Sequence, residues 1–159
     1  KNNMNLTSLF YLLIRIVVPK IKYDEKELKN EYFILKNKTK IYLAGPEVFL
    51  PDTLSYFLNA KTLCNDYGFE GLSPFDGEPI QKQGLEKAKL IFENNCRLID
   101  DCQIVIANCN SFRGALMDDG TSFEIGYAFA KGKTIFGFID SKDILPKLVH
   151  KKIPTKIHE

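Results

Sequence analysis

Histidine is scarce in this chain: of 159 residues only His150 and His158 are imidazoles, and both lie in the polar C-terminal stretch. A zinc cluster, or a Ser-His or Cys-His nucleophile pair, is therefore hard to assemble, and no metal is expected. The cysteines, Cys64, Cys96, Cys102 and Cys109, include no C-x-x-C pair. They read as reduced, mostly core thiols of a cytoplasmic protein rather than a disulfide framework. Charge of one sign is also lacking, since 22 Lys and Arg against 20 Asp and Glu leave a formal +2. That balance gives no electrostatic reason to expect a nucleic-acid surface. No apolar run approaches the ~20 residues of a membrane span. The best candidate, Leu6 to Val18, is broken by Arg15 and followed by no small-x-small cleavage site, so neither an anchor nor a signal peptide is expected. Finally, neither G-x-G-x-x-G nor G-x-x-x-x-G-K-[ST] occurs, which excludes the common dinucleotide and triphosphate cradles.

What is present suits one globular domain of ordinary size, 45% hydrophobic and 26% charged. Residues 1–39 form an arm: a candidate helix from Asn5 to Val18 ends before Pro19, and a lysine-rich stretch with an apolar patch at Tyr32 to Leu35 follows. The domain proper is residues 40–159. There, Ile41 to Ala44 is a short apolar run stopped by Gly45-Pro46, the pattern of a buried parallel strand. A helix over about 53–67 follows, with Leu54, Phe57, Leu58, Leu63, Cys64 and Tyr67 on roughly one side. Then come a strand at Phe69 to Leu72, a helix at Leu85 to Asp100, a strand at Cys102 to Asn108, a helix at Thr121 to Lys131 and a strand at Thr134 to Ile139. Strands alternating with helices, without a hairpin signal, predict an α/β three-layer sandwich around a central parallel sheet. Ligands in such sheets bind beyond the carboxyl ends of the strands, where strand order reverses. Attention therefore falls on Gly45 to Leu50, Ser73 to Glu78 and Asn108 to Glu124.

Those loops are rich in carboxylates: Glu47, Asp52, Asp76, Glu78, Asp118, Asp119 and Glu124. Acids gathered at the ligand end of a sheet suit work on a centre that becomes positive, such as a glycosyl carbon. Glu124 has two readings. Thr121-Ser122-Phe123-Glu124 fits a capping box, in which the glutamate only returns a hydrogen bond to the cap residue. Alternatively, small residues at Gly126, Ala128 and Ala130 let the helix press close to its neighbours, and the helix dipole keeps Glu124 ionised as a nucleophile. Asn95 shares helical spacing with Ala88, Ile91, Phe92 and Ile99, so it is either a satisfied core amide or a group that reaches the ligand. Tyr42 is either packing or function, and its buried hydroxyl needs a partner in both cases. Arg113 reads as a solvated loop side chain, or, with Ser111, as the nearest candidate for a phosphate contact.

Four blocks in this order resemble the nucleoside 2-deoxyribosyltransferase family: Lys40 to Asp52 (KIYLAGPEVFLPD), Phe69 to Asp76 (FEGLSPFD), Phe112-Arg113-Gly114, and Asp118 to Ala128 (DDGTSFEIGYA). The resemblance covers about Lys40 to Ile139. It implies a flavodoxin-like fold, transfer of 2-deoxyribose between bases through a covalent deoxyribosyl-enzyme, and homo-oligomers whose sites border a neighbouring subunit. By the same resemblance Glu124 matches the nucleophile and Asp118, or Asp119 beside it, the carboxylate on the sugar side. Tyr42 matches a tyrosine next to the nucleophile, and the Asp76 to Glu78 loop one that faces the base. Gly45, Pro46 and Gly120 fall within the matching blocks as further substrate-binding positions. The implied partners are a small-molecule deoxynucleoside and a free nucleobase, and the implied chemistry needs no cofactor. Two departures stand out. Asn95 occupies the place of an aspartate that passes a proton to the leaving base, and Ser141 to Glu159 shows no clear copy of the Asp-Asn element lent to a neighbouring site. Alternatives to transfer are hydrolysis of a 2'-deoxynucleoside or its 5'-monophosphate, and a catalytically silent nucleotide-binding module.

Overall fold

The computed structural model describes residues 38–77, 79–141 and 143–153. The arm helix expected at Asn5 to Val18 and the apolar patch at Tyr32 to Leu35 lie outside these, as does Glu78. The strands are β1 (Lys40–Ala44), β2 (Glu70–Leu72), β3 (Ile104–Asn108) and β4 (Thr134–Phe138), and the helices are α1 (Thr53–Asp66), α2 (Gly84–Asp101), α3 (Asp119–Ala130) and α4 (Leu145–Lys152). A single 3-10 turn, Pro46–Phe49, leads out of β1.

The sheet is wholly parallel, in the order β2-β1-β3-β4. This matches the first four positions of the flavodoxin-like order. Period-two alternation divides the central strands between two cores. Ile41, Leu43, Ile104 and Ile106 point to one face and pack on Phe57, Ala60 and Cys64 of α1. Tyr42, Ala44, Val105 and Ala107 point to the other, against Ile99 of α2 and Ala128 of α3. Because both faces are covered, the strands read as continuous apolar runs and not as alternating ones. The chain leaves β1 towards β2 on one side and returns to β3 on the other. The reversal lies between the carboxyl ends of β1 and β3, which is where the loops open a crevice.

Several expectations need correction. Leu54 and Leu58 are 69% and 66% exposed, because α1 meets the sheet along a stripe only as wide as Phe57, Ala60 and Cys64. Of the residues spaced with Asn95, only Ile99 is core, while Ile91 and Phe92 are exposed. The polar C-terminal stretch holds a helix, α4, whose last turn carries His150, Lys151 and Lys152. Basic groups there complement the helix dipole. No helix among the described residues is long and apolar enough to cross a membrane, and all four cysteines are free thiols.

The contact between β2 and α1 depends on Gly71. A Cβ there would stand 3.1 Å from the Lys61 Cα and 3.0 Å from the Cys64 Sγ. We expect Gly71→Ala to push α1 off the sheet and destabilise the protein by about 1–3 kcal/mol, read as a lower denaturant midpoint at unchanged slope.

Candidate active site

Tyr42 lies under α2 and α3, wholly buried, and its ring fills the space where both helices cross β1. The phenol donates to Glu124 Oε1 at 2.7 Å, and Asn95 Nδ2 donates to the same oxygen at 3.1 Å. Three elements thus converge on one carboxylate. Oε1 is occupied twice, whereas Oε2 accepts no hydrogen bond among the described residues. Glu124 lines an open cleft of about 790 Å3 at the carboxyl ends of the strands, within the ~300–1,000 Å3 usual for small-molecule sites. By giving its NH2 to Glu124, Asn95 fixes its amide orientation and leaves Oδ1 a buried acceptor with no partner among the described residues. Asn95 lines the cleft as well.

The electrostatics follow from burial. Desolvation pushes the Glu124 carboxyl up to about 7, against the opposing pull of its hydrogen bonds to Tyr42 and Asn95, and the nearby charge of Asp118 raises it further. Glu124 lies beyond the first turn of α3, where the field of the helix end has largely fallen away, and desolvation dominates its titration. Burial, then the charge of Glu124, hold the Tyr42 phenol well above its ordinary range, so it remains a donor at neutral pH.

The capping-box reading of Glu124 is overturned. Helix α3 begins two residues before Thr121, and its cap is Asp118, whose Oδ2 accepts from the Thr121 amide at 2.9 Å and the Thr121 hydroxyl at 3.1 Å. Glu124 therefore sits in the second turn, on the buried stripe Thr121, Glu124 and Ala128. Of the small residues noted after it only Ala128 is buried, and a Cβ added to Gly126 would meet nothing beyond its own helix within 4 Å.

The remaining candidates divide. Asp118, Gly120, Gly45 and Asp76 line the cleft. The Asp76 carboxylate is already engaged by Lys61 and, at 2.7 Å, by the Ser73 amide, which makes it a loop-former first. Asp119 and Pro46 are not on the cleft wall, so of the two adjacent aspartates Asp118 is the one that faces the ligand space. Arg113 is exposed, as its loop position suggested, and its guanidinium lies 4.8 Å from the ring centres of both Phe49 and Phe112. Ser111 donates its hydroxyl to the Ala115 carbonyl at 3.0 Å. Sequence reasoning passed over Phe49, Phe75 and Asn94, which also line the cleft. Aromatic residues in the loops that follow β1 and β2 were the available signal. Asn94, which holds the Asp76 carbonyl at 2.8 Å, left none, since it looks like any polar residue on a helix.

Residues 41–152 match the family described as nucleoside 2-deoxyribosyltransferase. The chain belongs to that family. It is similar to a 2-deoxyribosyltransferase from Leishmania mexicana, with 32% identity, a TM-score of 0.56, and coverage of 69% of this chain and 70% of that one. A 2-deoxyribosyltransferase from Bacillus psychrosaccharolyticus shares the fold at 22% identity and a TM-score of 0.54, covering 76% of this chain and 87% of its own. An uncharacterised protein of Schizosaccharomyces pombe is 38% identical over 113 residues, which are 69% of this chain. The chain spans about half, 54%, of the length of that curated relative.

A carboxyl raised from 4.5 to about 7 by folding binds protons in the native state that it has lost in the unfolded one. Its stabilising protonation is complete below about pH 4.5 and is lost as pH rises through about 7. Relative to Glu124→Gln, the wild type should therefore lose up to about 3 kcal/mol of stability across that window, measured by denaturant unfolding at several pH values. Parallel stability curves for the two proteins would remove the assignment of the raised carboxyl.

Proposed function

We propose that the cleft transfers 2-deoxyribose between nucleobases through a covalent deoxyribosyl ester on Glu124. The observation that carries this reading is the geometry of that carboxylate, with Oε1 held by Tyr42 and Asn95 and Oε2 left without a partner beside the cleft. Family membership supports the substrate class. In the first step Oε2 forms a bond to the anomeric carbon while the glycosidic C–N bond breaks, its electron pair departing with the base. In the second, a nitrogen of the incoming base attacks the same carbon, the ester C–O bond breaks, and the carboxylate is restored as that base gives up a proton. This is the two-step retaining logic of glycosidases.

The surroundings have corresponding roles. Tyr42 and Asn95 hold the nucleophile and keep part of its charge on the oxygen that does not attack. The Asn95 Oδ1 is buried out of a ligand's reach, so the contribution of Asn95 is the hydrogen bond it gives to Glu124. Asp118 faces the sugar side, and the exposed ring of Phe75 offers a plane for a base. An amide has no proton to exchange with the departing base, so that proton comes from Asp118 or water.

Incubating the protein with 2'-deoxyadenosine, alone and with a second base, separates transfer from hydrolysis and from silence. A new deoxynucleoside formed only with the second base is the expected result. Free deoxyribose in both tubes would make the protein a hydrolase, and no product in either would leave a silent binding module. The ionised nucleophile requires kcat/KM to rise with pH through about 7. Glu124→Ala should reduce turnover to background, and adenosine should be a poorer substrate than 2'-deoxyadenosine because its 2'-hydroxyl opposes positive charge at the anomeric carbon.

Asn95→Asp places a second carboxyl within hydrogen-bonding distance of Glu124, so the two would titrate as a pair. We expect faster base release, with general-acid help worth up to ~10²-fold or more, and an additional limb in the pH–rate profile. An unchanged profile accompanied by a lower melting temperature would instead identify Asn95 as a structural amide.

A further inference from the structure

A second buried carboxylate lies on the other side of the β1 turn, and the reaction has no use for it. Glu47 is 7% exposed and is not on the cleft wall. Like Glu124, it takes a phenol and an amide on one oxygen: Tyr56 of α1 donates to Oε1 at 3.1 Å, and Asn108 Nδ2 at the end of β3 donates to it at 2.5 Å. Removing a carboxylate from water is costly, and a side chain so placed is retained only with partners that satisfy it.

The partners continue. With its NH2 committed to Glu47, the Asn108 amide can turn only one way, and its Oδ1 accepts from the Asn110 amide at 2.9 Å. The Asn110 side chain in turn accepts, through Oδ1, from the Asp140 amide at 2.9 Å. One chain of hydrogen bonds thus runs along the carboxyl edge of the sheet from the turn after β1, through the loop after β3, to the loop after β4. At the same edge, Phe49 of the turn after β1 stacks on Phe112 of the loop after β3 with ring centres 5.1 Å apart, and the Arg113 guanidinium lies over both rings. Arg113 holds a left-handed φ of 49° to do so, a conformation that non-glycine residues adopt at some cost. Gly45 is the complementary requirement. A Cβ on it would meet Glu47 Oε2 at 1.9 Å, so only glycine lets the carboxylate fold back under the turn.

We infer that Glu47 is a positioning residue, which locks the Gly45–Phe49 turn to the loop running from Cys109 to Asp118 so that the two sides of the cleft keep a constant separation. Its acceptor oxygen performs this task, and its negative charge does not. The consequence for substrate binding rests on the reading of the cleft as a nucleoside site, while the coupling of the loops does not.

Two conservative variants separate reach from charge. Glu47→Gln keeps the length and an acceptor oxygen for Tyr56 and Asn108, and Glu47→Asp keeps the charge but withdraws the oxygen by one methylene. Backbone amide exchange on the full chain is read at Asn110 and Asp140, with amides in the middle of β3 as the internal reference. Glu47→Asp should speed exchange at both positions by about tenfold or more, raise KM for a 2'-deoxynucleoside and leave kcat less affected. Glu47→Gln should restore slow exchange and most of the KM. Unchanged exchange in Glu47→Asp would overturn the coupling. Impairment by Glu47→Gln alongside a normal Glu47→Asp would show that the charge is what matters, and would also overturn it. If the wild type turns over no deoxynucleoside, the functional reading fails, and the exchange rates still decide the role of Glu47.

Discussion

Burial of one carboxylate between a strand and two helices, one of which carries it, is the constraint around which the fold is arranged. Glu124 can be desolvated only because Tyr42 and Asn95 present donors to it from the strand below and the helix beside it. Each donor requires its own element in place: β1 in the centre of the sheet, α2 crossing over it, and α3 entering at Asp118. The hydrogen bonds are too few to cancel the desolvation, and the carboxyl stays raised at about 7. A group balanced between its two forms near neutral pH is expensive in a structural role and useful in a reactive one.

The rest of the carboxyl edge is built to keep that group accessible. Asp118 caps α3 and turns it into the cleft, and Asn94 and Lys61 hold the loop after β2 through Asp76. Glu47 and its amide relay tie the other rim. Polar side chains bonded to loop backbone give these connections a definite shape where no helix or sheet ladder can supply one. The open cleft is therefore bounded by loops with fixed ends.

Glu47 and Glu124 show how similar side-chain environments acquire different functions. Both accept from a tyrosine and an asparagine on a single oxygen. The difference is what the second oxygen meets. For Glu124 it is free of protein donors beside the cleft, and for Glu47 it lies against the Gly45 backbone. Position relative to the crevice, and not the chemistry of the immediate partners, distinguishes the two carboxylates.

The strands and helices from Lys40 onward were legible because buried parallel strands are short, continuous apolar runs ended by turn residues, and β1 and β3 are clear examples. The general place of the site was legible too, because alternating strands and helices put ligand loops at the carboxyl ends. The tail helix α4 was not, since its eight residues carry no buried side chain to leave a pattern. Nor could local pattern decide Glu124, because Thr121 to Glu124 fits a capping box well and only the earlier start of α3 at Asp119 rules it out. Asn95 looked like part of an apolar face that in the folded chain is largely cleft and solvent. What the sequence by itself determined were the local periods and stops, which depend on neighbours a few residues away. Which oxygen is held, which is free and how far burial shifts a carboxyl were decided only by tertiary structure, because those depend on residues 82 and 29 positions distant in the chain.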